Sequence, residues 1–252
     1  MTDKILANKR DGVGWVTINN PERRNAISLE MWEAMGAAFE DFSADSAIRC
    51  AVIHGAGDKA FASGADISQF EKNRSNAEAS EAYGKISKGV RDQIIAFDKP
   101  LIAMVRGYCM GGGLGLAMTA DMRISADDGV FAVPAARLSI AYDAVNLGNL
   151  VHLVGPSKTK EILLTAKRYN AADALQMGLV NAVVPVAELE AAVADITDRL
   201  VDNAPLSMRA TKLTVNELTR DAATRNEDLL DSLMSACFNS ADYTEGRKAF
   251  ME

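Results

Sequence analysis

Apolar positions in the first half of the chain come in short runs separated by turn residues. Ile5 to Arg10 and Val13 to Asn19 read as two strands around a turn at Asp11-Gly12. Asn20-Pro21 stops the second, since the residue before a proline is steered away from continuing a regular element. Trp32, Met35, Phe39 and Phe42 then recur at helical spacing, with Ser28 ahead of them as N-cap. Cys50 to His54 is a buried-strand run closed by Gly55-Ala56-Gly57. Residues 77–97 read as helix, Leu101 to Val105 as a strand opening onto Gly107, and Val130 to Val133 as one more short strand.

The second half changes period. Leu189, Val193, Ile196 and Leu200 mark one helix face, Pro205 opens another helix, and residues 222–238 suggest a third. Strand–helix units followed by a helical tail predict a layered α/β fold. The core is expected over residues 1–200 and a helical region over 201–252. That tail reads either as a cap on the same core or as a region with its own partner, and periodicity does not choose between them.

Composition narrows the classes. The 252 residues are 48 % hydrophobic, so a sizeable core can form. Lys plus Arg number 27 against 34 Asp plus Glu, a net charge of −7. That balance argues against a general nucleic-acid binder, which needs cations for phosphate, but leaves room for a local anion site. Cys50, Cys109 and Cys237 form neither a disulfide framework nor a CxxC metal pair, which suggests a reducing compartment. The opening residues lack the apolar stretch of a signal peptide. The longest uncharged stretch, between Arg106 and Asp121, is too short and too glycine-rich for a membrane span. A soluble cytoplasmic protein, with no membrane partner, is expected.

Four segments carry candidate chemistry. Gly107 to Gly115 follows an apolar strand and precedes the helical run Leu116 to Thr119. Its glycines allow close backbone approach, and amides at a helix start suit an anion or a developing oxyanion. A tight turn with close helix packing explains the same glycines. Phe61 to Ile67 is a second small-residue turn, where Asp66 reads as an N-cap. Two such turns can aim two amides at one point. Arg23-Arg24 either meets phosphate or is a solvated pair. Tyr142-Asp143 suits acid–base work at a pocket mouth, and Asp143 equally suits a helix cap. His54 reads as a core or turn residue and His152 as packed, and neither has zinc spacing.

Taken together, NNPERRNAIS, FASGADI, KPLIAMVRGYCMGGGLGLAMTADMRISADD, the VGPSKTKEILLTAKRYNAADALQMGLVNAVVP segment and the terminal EGRKAF resemble the enoyl-CoA hydratase/isomerase (crotonase) superfamily. The resemblance implies a crotonase-like spiral of ββα units with a helical C-terminal trimerisation region, assembled as homotrimers or pairs of trimers. It implies a coenzyme A thioester as substrate and no metal or redox cofactor. The oxyanion hole falls on the amides of Ala65 and Gly112. CoA is held near Arg24, Ala26, Ala62, Asp66 and Ile67, with Arg24 near phosphate. Gly111, Gly115, Ala135 and Leu138 fall at the acyl site.

The departures from the family pattern shape the expected reaction. Family hydratases carry one glutamate two residues after the glycine run, where this chain has Gly115. They carry a second after the proline of FxxP, where this chain has Ala135. Neither replacement can move a proton, so two-glutamate hydration is not expected. What remains is the hole with Tyr142 and Asp143, which suits isomerase or lyase chemistry. Decarboxylation of a malonyl-type thioester and a catalytically silent acyl-CoA-binding subunit are the alternatives. Small residues at 115 and 135 beside Leu138 suggest a roomy apolar pocket.

Overall fold

A computed structural model of the chain describes residues 2–66 and 77–251. Ile67 lies outside the described residues.

Among the described residues, ten strands divide between two sheets. The first contains β1 (Ile5–Arg10), β2 (Val13–Ile18), β3 (Cys50–Gly55), β5 (Leu101–Val105), β7 (Met122–Ala126) and β10 (Ala182–Val184), adjacent in that order. The β1–β2 hairpin is antiparallel and every later pairing in this sheet is parallel. The second sheet contains β4 (Ala60–Ala62), β6 (Tyr108–Met110), β8 (Val130–Ala132) and β9 (Tyr169–Asn170). The chain steps from the first sheet to the second three times, β3 to β4, β5 to β6 and β7 to β8, and returns each time, which generates a spiral.

Helices fill the steps. They are α1 (Leu29–Ala44), α2 (Ala77–Ile95), α3 (Gly112–Ala117), α4 (Ala144–Thr165), α5 (Ala171–Gln176), α6 (Leu189–Asp202), α7 (Pro205–Leu218), α8 (Glu227–Phe238) and α9 (Ala241–Met251). Ser28 caps α1 by accepting from the Met31 amide, and Pro205 stands at the start of α7. A two-sheet α/β spiral with C-terminal helices is the architecture that the resemblance implied.

Strand β3 shows why its sequence is a continuous apolar run. Ala51 and Ile53 face a core built on Phe39, Phe42, Phe61, Phe97 and Phe131. Cys50 and Val52 face the opposite side, where Leu189 and Val193 of α6 cover them. A strand buried on both faces has no polar side to alternate with. Among the described residues, no helix is long and apolar enough to cross a membrane.

The histidines divide. His54 is half-buried and pairs with Thr17 through Nε2 and Oγ1 at 2.9 Å. His152, expected to be packed, is exposed because it lies on the outer side of α4.

Candidate active site

The two small-residue turns meet. Ile27 forms an isolated parallel bridge with Ala65. The Ile27 amide donates to Gly64 O at 2.8 Å, and the Asp66 amide donates to Ile27 O at 3.1 Å. That pairing uses the groups on either side of Ala65 and leaves its own N–H facing away from Ile27. Gly64 sits at φ 102°. A Cβ there would lie 3.2 Å from Met110 O and 3.3 Å from Gly112 N, so the turn packs directly on the glycine run.

On the other side, Gly111 stands at the N-cap of α3 at φ 51°, ψ −118°, a conformation costly for any residue with a Cβ. Its amide donates to Ala132 O at 2.8 Å, and its carbonyl accepts the Gly115 amide at 3.0 Å. Gly112 is then the first residue of the helix, where the N–H has no intrahelical acceptor. A Cβ at Gly112 would stand 3.8 Å from Ala65 N. The backbones of Ala65 and Gly112 therefore adjoin, and both edge one cavity of about 430 Å³.

Tyr142, Asp143, Ala135 and Leu138 line the same cavity, as do Arg91 and Asn146. Among the described lining residues, Asp143 supplies the one carboxylate. It also caps α4: Oδ1 accepts the Asn146 amide at 3.0 Å. Its Oδ2 accepts Asn146 Nδ2 at 2.7 Å and lies 3.4 Å from Arg91 Nη2. Both readings made of Asp143, cap and cavity carboxylate, therefore describe one side chain. The Tyr142 hydroxyl donates to Gly111 O at 3.0 Å. Burial, with Asp143 and Cys109 adding to it, pushes its phenol well above the usual range. Tyr142 is thus a neutral donor that ties the loop before α4 to the glycine run.

Gly115 departs from expectation. It is buried and does not line the cavity. A Cβ there would lie 2.8 Å from Asn146 Oδ1, so the expected open space is filled by that amide. Leu138, 53 % exposed, stands at the rim, and the half-buried Ala135 lies on the wall.

The residues expected around CoA spread over a second region. Arg24 is exposed, in a left-handed conformation, with its guanidinium over the Tyr108 ring at 5.3 Å. It shares a cleft of about 250 Å³ with Lys59. Its carbonyl accepts the Ser63 amide at 3.0 Å, which joins this loop to the Ala65 turn. Asp66 pairs with Arg23 at 3.4 Å. Ala26 and Ala62 are buried and reach neither cavity.

Three residues escaped the sequence reading. Asn25, fully buried, donates from Nδ2 to Ala56 O and Ala60 O and accepts the Asn20 amide. It pins the Arg24 loop to β4. Arg91 and Asn146 were missed as well. The spacing Asp143-x-x-Asn146 carries a capping signal, but Arg91 carries none, because a single arginine in a helix normally marks a solvated face.

The enoyl-CoA hydratase/isomerase family model matches residues 8–252. The chain belongs to that family. It is 35 % identical over 250 residues to a crotonyl-CoA hydratase of Syntrophomonas wolfei, covering 99 % of this chain and 95 % of the relative. It is 34 % identical over 258 residues to a carnitinyl-CoA dehydratase of Escherichia coli, covering 100 % and 97 %. A crystal structure of an enoyl-CoA hydratase/carnithine racemase from Magnetospirillum magneticum superposes with a TM-score of 0.94 at 37 % identity, over 100 % of this chain and 93 % of that one. As a member of the enoyl-CoA hydratase/isomerase family, the protein is an acyl-CoA-processing enzyme.

Proposed function

We propose that the enzyme stabilises a thioester enolate between the Ala65 and Gly112 amides and moves protons with the single carboxylate of Asp143, as an isomerase or lyase. The observation that carries this reading is the shared cavity, which holds both amides and one carboxylate. Amides fixed by the backbone need no reorganisation as charge develops, and each donor contributes about 2.7–4 kcal/mol to the transition state. A positioned acid–base group contributes about 10²–10⁴-fold. Gly115 and Ala135 carry no group that can move a proton, so that work falls to Asp143. Tyr142 supports the hole through Gly111 rather than exchanging a proton.

The CoA moiety lies over the Arg24 loop in this reading. Arg24 and Lys59 supply the cations for its phosphates, and Asp66 continues that surface. Hydratase and dehydratase names among the relatives favour the lyase side.

The test is mass analysis in heavy water with enoyl-, dienoyl-, malonyl-type and saturated acyl-CoA thioesters. Gain of water identifies a lyase, and deuterium uptake alone identifies an isomerase. Asp143→Asn is expected to lower kcat by about 10²–10⁴-fold. An unchanged rate in that variant removes Asp143 from the mechanism. Loss of carbon dioxide makes the protein a decarboxylase, and thioester binding without turnover makes it a silent binding subunit.

A further inference from the structure

The turn that carries Ala65 meets Ile27 in an isolated bridge rather than in a ladder. Ile27 O accepts the Asp66 amide at 3.1 Å. The same oxygen accepts a second bond, at 3.1 Å, from the Tyr83 hydroxyl of α2. A carbonyl has two lone pairs, so both bonds form at once. The Tyr83 oxygen in turn accepts Trp32 Nε1 of α1 at 3.1 Å. An indole N–H only donates, which directs the phenolic proton away from Trp32 and towards Ile27 O. The donors therefore run one way, from Trp32 through Tyr83 to the carbonyl across from Ala65, and each bond polarises the next.

Tyr83 and Trp32 are 7 % and 2 % exposed, and both belong to the apolar core. A hydroxyl in such surroundings is costly unless it is bonded, and a phenylalanine ring fills the same space without one. The Arg91 guanidinium lies over the Trp32 ring at 5.8 Å, a second hold on the indole. Both aromatic residues also border the cavity that Ala65 and Gly112 edge. Across that cavity, the Tyr142 hydroxyl reaches Gly111 O beside Gly112. Each of the two amides thus stands next to a carbonyl that a tyrosine hydroxyl ties.

We propose that Tyr83, oriented by Trp32, is a positioning residue for the Ala65 amide: it sets the Ile27–Ala65 bridge and, through it, the direction in which that amide points. The inference rests on the enolate reading above and deepens it. Tyr83 donates to a backbone oxygen and moves no proton. An enolate oxygen is a stronger acceptor than a neutral thioester carbonyl, so a misaimed amide costs more with the enolate. Loss of the hydroxyl therefore weakens the hold on an enolate and spares the hold on an uncharged thioester.

Acetoacetyl-CoA and butyryl-CoA separate the two. Acetoacetyl-CoA loses an α-proton to water reversibly, and its enolate absorbs at longer wavelength than the neutral thioester. A spectrophotometric pH titration of acetoacetyl-CoA on the full chain reads enolate stabilisation, and calorimetry with butyryl-CoA reads ground-state affinity. Wild type is expected to hold the enolate at lower pH than water does. Tyr83→Phe should reduce that stabilisation by about three- to tenfold, the worth of one hydrogen bond, with butyryl-CoA affinity unchanged. Trp32→Phe keeps the tyrosine and should lose a smaller part. Circular dichroism checks both folds, and should Tyr83→Phe fail to fold, Trp32→Phe decides by the same two readings. An enolate band in wild type that both variants leave unchanged overturns the role of Tyr83 and leaves the enolate reading standing. Equal losses of enolate and butyryl-CoA binding make the contact a general support of the pocket and overturn that role too. No enolate stabilisation in wild type overturns both.

Discussion

The Tyr142 hydroxyl reaches the Gly111 carbonyl at 3.0 Å, one residue before the Gly112 amide. Gly111 is held in a conformation that a side chain would strain, so its peptide planes need an external tie. Tyr142→Phe removes that tie and little else. We expect a stability loss of about 1 kcal/mol, the net value of one hydrogen bond. Because the hole we propose acts mainly on the transition state, kcat should fall several-fold with KM nearly constant. Steady-state kinetics beside a urea melt checks this, and a change confined to KM would mean that Tyr142 contacts ground-state substrate instead. Residues of this kind differ in how far the chain announces them. Tyr142 and Asp143 stand together beside an apolar run, so their pairing was legible. Arg91 and Asn146 lie 55 positions apart by number and meet only because α2 and the start of α4 face one cavity. Gly115 misled for the same reason: a missing side chain says nothing about which neighbour fills the space.

Strands β2 and β3 place Thr17 opposite His54, and the two side chains bond at 2.9 Å. Trp15 meets the imidazole edge-on at 5.9 Å. Burial lowers the His54 pKa below its ordinary 6.5, with the Gly55 backbone and Glu190 on α6 opposing that shift. The unfolded chain therefore binds a proton at higher pH than the folded one. The resulting stability contribution is fully present above about pH 6.5 and is lost as pH falls below it towards the folded value. This group alone can add a slope of at most about 1.4 kcal/mol per pH unit. Denaturant melts between pH 7.5 and 5 should show that decline, and His54→Gln should flatten it. An equal decline in the variant would show that the effect does not come from His54. At this scale β1, β2, β3, β5 and β8 were readable from apolar runs. The strands β4, β6, β7, β9 and β10 were not: four of them have only two or three residues, and β7 interrupts its apolar positions with Arg123 and Ser125. Helix α3 begins at Gly112, four residues before the expected start, since burial of Leu114, Leu116 and Ala117 outweighs the poor propensity of its glycines.

The whole molecule leaves its C-terminal helices thinly supported. Among the described residues from Pro205 onward, only Glu217 and Leu233 are buried. Arg209 pairs with Asp98, and Lys212 reaches Asp121 Oδ2 at 2.9 Å and Lys99 O at 2.9 Å, which fastens α7 to the sheet end. Beyond those polar ties the helices present Val215, Leu218, Met234, Phe238 and Phe250 to solvent, with Phe250 92 % exposed. Apolar surface displayed on consecutive helices is the usual mark of a contact between chains. Closed rotational symmetry lets identical chains cover it without leaving a fresh edge. We therefore expect a closed oligomer, the homotrimer that the family resemblance implies, with the region from residue 201 onward supplying its contacts. Sedimentation should give a mass near three times 27.0 kDa, or a multiple of that trimer. Val215→Glu combined with Met234→Glu changes two exposed positions on different helices, so the fold of one chain should survive. Its sedimenting mass should drop towards 27.0 kDa while far-ultraviolet circular dichroism stays that of the parent. A wild-type chain that sediments at 27.0 kDa would show that these faces do not meet copies of themselves. A double variant that stays trimeric would move the contact to other parts of the surface.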